Sequence, residues 1–367
     1  METNVIKILV SAGGTGGHLF PAIAVIEEIE NILKNKYQLE IFAIGKQNKI
    51  EAKKSYEKGW HFIPIPMEGF SGFGLKFFDF FVKTIKSVNI VRNLIRKENI
   101  DFGIGTGAYI TYPAGIALYS EKKPFFLLES NLVPGRANRL LARKSSIFFA
   151  TFENTIKYLP PNIETKFKVY GTPIRKDLLS QIPKEQARKK LGLDPEKNTI
   201  LIFGGSLGAK SINDVVFSNY KKLLASGFQI IWQVGKNFDV DIVNQKGLII
   251  FEFIDDMATA YAAADLVVSR SGASTIAEIS ALGKPAILIP YPFATGKHQE
   301  LNAMELHTNE AAILVHDNEA KEKLIPKIFE LFENQEMLTK LAMNIKKFYK
   351  PNSCERIAKE ILKFLNI

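Results

Sequence analysis

His18 closes a run of small residues, Gly13-Gly14-Thr15-Gly16-Gly17, and is followed by Leu19-Phe20-Pro21. A neutral imidazole accepts a proton near neutral pH, because its unperturbed pKa is about 6.5. The glycines before it let backbone N–H groups approach a ligand closely, and a helix starting there adds about half a positive charge at its N-terminus. Together they suit an anion, phosphate above all, with a base beside it. The run fits neither common nucleotide fingerprint. Leu19 stands where the dinucleotide motif needs its last glycine, and no Lys-Ser or Lys-Thr pair follows as in a P-loop. Turns of this kind also arise for purely structural reasons, with the histidine as a cap. The theme recurs at Gly204-Gly205-Ser206-Leu207-Gly208-Ala209, and again at Ser271-Gly272-Ala273-Ser274-Thr275, where hydroxyls and amides precede a helix that carries Glu278. Asp239-Val240-Asp241 has the form of a metal-binding pair but lies in a polar segment and reads as a solvated loop. The five histidines show no ligand spacing, so no metal or other cofactor is expected.

The elements that position these residues alternate strand and helix. Val5–Val10 reads as a buried strand, and the helix opening at Pro21 continues its apolar face through Ile29, Ile32 and Leu33. Further strands are expected at Leu39–Ile44, His61–Ile65, Asp101–Ile104, Phe125–Leu128 and Ile147–Ala150, the βαβ signature of a parallel sheet. The pattern restarts at Thr199–Phe203, with a helix at Lys210–Ala225 and strands at Gln229–Val234, Leu248–Phe251, Leu266–Ser269, Ala286–Pro290 and Ile313–Val315. Val169–Arg175, with Gly171 and Pro173, reads as the linker. The expected fold is α/β, two doubly wound, Rossmann-like parallel-sheet domains facing across a cleft. The expected divisions are residues 1–172, residues 173–348, and a C-terminal helix within 349–367 that packs back on the first domain.

A chain of 367 residues with 46% hydrophobic content suits two such cores. The single cysteine, Cys354, forms no internal disulfide and points to a reducing compartment. The first apolar run is a short strand rather than a secretory signal, and no segment approaches the ~20 apolar residues needed to span a bilayer. A formal charge of +10 nevertheless calls for an anionic partner. Between Gly69 and Val88 the aromatics Phe73, Phe77, Phe78 and Phe81 stand beside Lys76 and Lys83, the composition of an interfacial membrane anchor; a core helix is the plainer alternative. No nucleic-acid motif accompanies these residues.

Gly14–Ala22, Gly204–Ala209, Phe253-Ile254-Asp255-Asp256-Met257 and Ser269–Glu278, in this order, resemble the MurG-type enzymes of glycosyltransferase family 28. The likeness covers essentially the whole chain. It implies the GT-B architecture and an inverting transfer of N-acetylglucosamine (GlcNAc) from UDP-GlcNAc. The acceptor would be the 4-hydroxyl of N-acetylmuramic acid in undecaprenyl-pyrophosphoryl-MurNAc-pentapeptide (lipid I), giving lipid II for peptidoglycan. The enzyme would sit peripherally on the cytoplasmic face of the inner membrane, near other cell-wall synthesis and division proteins. The resemblance places Asn131 beside the donor sugar, Thr15, Gly16 and Gly17 among the UDP-GlcNAc contacts in a turn that would also serve the acceptor's pyrophosphate, and Arg175, Ser206 and Ala273, Ser274, Thr275, Ile276 and Ala277 around the donor phosphates. Ile254 would address uracil, Glu278 the ribose, and Gln299 and Asn302 the sugar hydroxyls. His18 is then the expected general base, with Glu129 the next candidate. Two acceptor-side segments depart from the family's usual pattern. Leu128-Glu129-Ser130-Asn131 replaces His-Glu-Gln-Asn, and Gly107-Ala108-Tyr109-Ile110-Thr111-Tyr112-Pro113 replaces Gly-Gly-Tyr-Val-Ser-Gly-Pro. Another membrane-associated GT-B transferase that uses a UDP-sugar, and a non-catalytic membrane scaffold with the same fold, are the rival readings.

Overall fold

The computed structural model describes residues 4–13, 16–69, 75–180, 182–205, 207–236, 238 and 245–367. Among the expected site residues, Thr15, Phe73 and Ser206 lie outside these, as do Gly14 and the Asp239–Asp241 segment; so do the side chains of Lys76 and Phe77. The chain forms two compact units, Met1–Ile174 with Lys350–Ile367, and Arg175–Tyr349.

The first unit holds strands β1 (Asn4–Ser11), β2 (Tyr37–Gly45), β3 (His61–Pro64), β4 (Phe102–Gly105), β5 (Phe125–Glu129), β6 (Ile147–Ala150) and β7 (Phe167–Val169). Between them run helices α1 (Gly16–Leu33), α2 (Ile50–Glu57), α3 (Leu75–Glu98), α4 (Ala108–Ser120) and α5 (Arg136–Leu141). The strands lie in the order β3-β2-β1-β4-β5-β6-β7, and every pairing is parallel. The sheet grows outward from β1 in both directions, so the crevice beyond the carboxyl ends of β1 and β4 is the topological switch point, where such sheets bind ligands. The seventh strand falls within and just before the expected linker. It is three residues long, half-buried, and carries Lys168 at its centre, so no apolar run marks it.

The second unit repeats the plan with β8 (Thr199–Phe203), β9 (Gln229–Gln233), β10 (Leu248–Phe251), β11 (Leu266–Ser269), β12 (Ala286–Leu288) and β13 (Ile313–Leu314). Its helices are α6 (Lys184–Lys190), α7 (Lys210–Ala225), α8 (Met257–Ala263), α9 (Ala273–Leu282), α10 (His298–Thr308), α11 (Ala320–Glu333) and α12 (Gln335–Lys346). The order β10-β9-β8-β11-β12-β13 is again all parallel, with its switch point between β8 and β11.

Helices cover both faces of each sheet, which is why the strands are near-continuous apolar runs rather than alternating ones. In the first unit, α1 supplies Ile23, Ile26 and Ile29 to one face, and α3 and α4 supply Val91, Ile95, Ile110 and Leu118 to the other. The last helix, α13 (Ser353–Leu365), belongs to the first of these faces. Its Ile357 and Ile361 are fully buried beside α1, and Phe364 meets Phe126 edge-on at 5.5 Å. Tyr170 fastens it further, donating to Glu360 Oε2 at 3.1 Å while the Arg356 guanidinium lies 4.2 Å over its ring. In the second unit the buried Trp232 indole donates to Asn213 Oδ1 at 3.1 Å, and Asn213 donates in turn to the Val234 carbonyl, so this polar pair in the core is satisfied.

Candidate active site

In the first unit His18 occupies the first turn of α1, immediately beyond the end of β1, and is half-buried. Its Nδ1 lies 2.9 Å from the carbonyl oxygen of Thr106, which follows β4. A carbonyl only accepts, so Nδ1 carries the proton of this bond and Nε2 is the nitrogen able to take another. The contact spans the switch point, and its far side is braced. Thr111 Oγ1 accepts from the Gly107 amide at 3.1 Å and can donate to the Ser11 carbonyl at 3.0 Å. Gly107 has φ +99°, and a side chain there would press within 3.4 Å of the His18 ring and 3.3 Å of Asn138. Ala108, where the family pattern has a second glycine, is held in the left-handed region at φ +60°. Among the described residues, Thr106 Oγ1 and Asn138 Oδ1 are buried here without hydrogen-bond partners, a local cost of the kind found at functional sites.

Glu129, at the end of β5, has a different position from the one expected of a base. Its carboxylate is 3% exposed and accepts from four N–H groups. Oε1 takes the Asn131 amide at 3.0 Å and its side chain at 3.1 Å, and Oε2 takes the Gly135 amide at 3.0 Å and the Asn138 side chain at 2.9 Å. These fill the carboxylate's acceptor positions, so it would have to release donors before taking a substrate proton. Glu129 instead orders the loop that presents Asn131 and starts α5.

In the second unit the glycine turn after β8 is shaped by close backbone approach: a Cβ on Gly208, at φ +77°, would lie 2.1 Å from the Val234 carbonyl oxygen. Gln233 joins this turn to the Ile254 segment. Its Nε2 donates to the Gly205 carbonyl at 2.9 Å, and its Oε1 accepts from the Ile254 amide at 2.9 Å. The Ile254 N–H is therefore taken, leaving its carbonyl as the group to address a base. Gln233 was not singled out in the sequence, although a polar residue ending the buried run Ile230-Ile231-Trp232 is the signal that marks it.

Helix α9 begins after Gly272, which offers no side-chain cap, so the first-turn amides of the half-buried Ala273, Ser274 and Thr275 receive none. One turn further on, the Tyr261 hydroxyl, on a fully buried side chain of α8, donates to Glu278 Oε2 at 2.8 Å. Burial pushes the Glu278 carboxyl above its ordinary value, opposed by the Tyr261 hydrogen bond and the nearby Arg175 guanidinium. Arg175 is itself exposed. Tyr261 is a second positioning residue that the motifs did not reveal. Ile276 and Ala277 are buried and pack α9 rather than facing a ligand.

The remaining expected contacts divide. Gln299 Oε1 accepts from the Tyr291 amide at 2.9 Å and its carbonyl from Ser271 Oγ at 2.8 Å, which leaves the side-chain nitrogen to donate. Asn302 departs from the expectation: it is fully buried and donates to the Ser271 carbonyl at 3.4 Å, supporting the turn from behind. Arg270 binds the Ile289 and Pro290 carbonyls, Asp317 and Ser211, tying the ends of β11 and β12 to α7. Among the described residues, no group of three or more His, Cys, Asp or Glu is placed to hold a metal ion.

On α3, Phe78 and Phe81 are 69% and 55% exposed and share a face with the exposed Ile85, whereas Phe80 turns toward the core. Lys83 differs from the expected free cation. It pairs with Asp79 at 2.8 Å and Glu68 at 3.0 Å, carboxylates that raise its pKa and offset its charge. No described helix is long and apolar enough to cross a membrane.

Two doubly wound parallel sheets, each with its switch point beside the first strand of its unit, are the architecture of a GT-B glycosyltransferase fold. Residues 8–148 match the glycosyltransferase family 28 N-terminal domain, and residues 199–361 its C-terminal domain. The chain is 36% identical over 372 residues to the UDP-N-acetylglucosamine–N-acetylmuramyl-(pentapeptide) pyrophosphoryl-undecaprenol N-acetylglucosamine transferase of Bacteroides fragilis, covering 99% of this chain and 96% of the relative. It is 37% identical to the like-named protein of Thermodesulfovibrio yellowstonii, with 96% of each chain covered. The crystal structure of Acinetobacter baumannii MurG superposes with a TM-score of 0.75 at 25% identity, covering 98% of this chain and 99% of that one. The chain belongs to glycosyltransferase family 28.

Replacing Glu129 by Gln turns one acceptor oxygen into a donor that faces N–H groups. Calorimetry should show the first unit destabilised by about 2–3 kcal/mol. An unchanged melting profile combined with complete loss of turnover would instead restore Glu129 as a proton acceptor.

Proposed function

We propose that the chain transfers GlcNAc from UDP-GlcNAc to the 4-hydroxyl of the muramyl sugar in undecaprenyl-pyrophosphoryl-MurNAc-pentapeptide, by a single inverting displacement. The observation that carries this reading is the His18–Thr106 contact, which fixes the orientation of the imidazole at a switch point, in a chain whose full-length relatives bear the name of this reaction. The attacking hydroxyl must lose its proton as it bonds to the anomeric carbon, and His18 Nε2 takes it. The departing UDP gains negative charge. The first-turn amides of α9 and the Arg175 guanidinium meet that charge, acting as fixed dipoles and a cation that need little reorganisation. Glu278 accepts from the ribose hydroxyls, the Ile254 carbonyl accepts the ring N–H of uracil, and the Gln299 side-chain nitrogen donates to the sugar. The first unit holds the acceptor, with Gly16 and Gly17 beside its pyrophosphate and Asn131 near the transferred sugar; the second holds the donor. Phe78, Phe81 and Ile85 insert into the headgroup boundary, so the enzyme works peripherally on the cytoplasmic face of the inner membrane, where its lipid acceptor resides.

Incubation with UDP-GlcNAc and a lipid I analogue tests the reaction directly; transfer to diacylglycerol and not to lipid I would overturn it. His18→Ala should lower kcat by roughly 10²–10⁴ while leaving UDP-GlcNAc affinity within a few-fold, and a near-normal rate would remove the base role.

Glu278 binds the ribose as an anion, and its pKa is raised, so donor affinity should weaken as pH falls, starting above the 4.5 of an ordinary glutamate. Glu278→Gln should weaken donor binding and flatten that dependence in calorimetric titrations. A parallel pH curve in both proteins would show that another group titrates.

Phe78 and Phe81 are exposed, so replacing both by Ser should reduce sedimentation with anionic vesicles at an unchanged melting temperature. Loss of thermal stability with vesicle binding intact would mean these rings pack in the core.

A further inference from the structure

A shallow cavity of about 500 Å³, open to solvent, lies on the first unit beyond the carboxyl ends of β2 and β3, lined by Lys46, Gln47, Asn48, Lys49, Pro64, Ile65 and Pro66. None of its lining residues has a role assigned above, although Glu68 links Lys46 of the lining to Lys83 of α3. Its polar side chains fall into two groups. Gln47 already donates to the Tyr56 hydroxyl at 3.0 Å, and Lys46 pairs with Glu68 at 3.1 Å. Asn48 and Lys49 are exposed, and their side chains make no hydrogen bond or ion pair among the described residues. The opposite wall, Pro64-Ile65-Pro66, is apolar. A cationic and an amide group facing a short apolar wall fit a short peptide that ends in a carboxylate.

We propose that this cavity receives the peptide of the acceptor and that Lys49 pairs with its terminal carboxylate. The proposal rests on the transferase reading given above. In that acceptor the peptide hangs from the muramyl carbon next to the attacking hydroxyl, so it starts beside His18. Neighbouring strands are about 4.8 Å apart, which puts the ends of β2 and β3 roughly 5 and 10 Å from the end of β1. Five residues reach at most about 17 Å. The carboxyl end of the peptide can therefore reach the cavity while the sugar stays at His18. A peptide joined to the muramyl group through its amine keeps its terminal carboxylate free, and Lys49 supplies the opposite charge. The cavity would thus set which peptide-bearing acceptors are used, with no part in the chemical step.

The test is steady-state kinetics with two acceptors that share one lipid pyrophosphoryl-muramyl core. One carries the pentapeptide; the other has its lactyl carboxyl capped as the methylamide. Lys49→Glu should raise KM for the pentapeptide acceptor about five- to tenfold. It should leave kcat, KM for UDP-GlcNAc, KM for the capped acceptor and the melting temperature unchanged. High salt should shrink the wild-type preference for the peptide acceptor. An equal rise in KM for both acceptors, or no rise for either, overturns the assignment. Wild-type protein that transfers to neither acceptor overturns the transferase reading and this inference with it.

Discussion

Helix starts that carry no side-chain cap at the switch point are the constraint on which the second unit's site is built. The first amides of any helix lack intrahelical acceptors and are usually met by a Ser, Thr, Asp or Asn side chain. Here α7 follows Ala209 and α9 follows Gly272, neither of which provides a side-chain cap, and α1, α7 and α9 carry no acid in their first turns. A missing side-chain cap is not itself diagnostic, since α2, α6, α11 and α13 lack one too, while α8 and α12 are capped by Asp256 and Asn334; what sets α7 and α9 apart is that their open ends lie at the switch point. Leaving those amides unmet costs stability, and an anionic ligand recovers it. That exchange explains why small residues gather at the carboxyl ends of β1, β8 and β11.

Around these open ends, ordinary hydrogen bonds supply rigidity. Glu129, Gln233, Tyr261 and Arg270 each tie one segment of the chain to another, and in the proposed reaction none of them contacts a substrate. They limit how far His18, Ile254 and Glu278 can drift. Their arrangement also explains why the two carboxylates at these sites behave differently. Glu129 is surrounded by N–H donors and serves as a fixed anchor. Glu278 has one phenol donor and an exposed arginine nearby, so it keeps acceptor capacity for a ligand.

The sheets could be read from the sequence because strands buried on both faces must be apolar throughout, and runs such as Ile200-Leu201-Ile202 leave no other option. β7 could not, since its three half-buried residues include a lysine. His18 stood out because an imidazole is uncommon beside a glycine turn, whereas Arg175 and Glu278 were reached through the family resemblance. Glu129 was visible as a carboxylate, but its role depends on backbone amides that a sequence does not display. Asn302 looked like a sugar contact, although it shares a buried helix face with Ala303 and Leu306, and that spacing points inward. Lys83 looked like a free cation because Glu68, fifteen residues away, cannot be placed beside it without the fold.

The return of α13 to the first unit also bears on how the protein is made. Ile357, Ala358, Ile361 and Leu362 complete a core whose other buried members come from the first half of the chain. On the ribosome that core waits, one face partly bare, until all of Arg175–Tyr349 has been synthesised. At about 5–20 residues per second the wait is on the order of ten seconds or more. During that interval the first unit cannot close its core, so the N-terminal half is the part that needs protection from aggregation in the nascent chain.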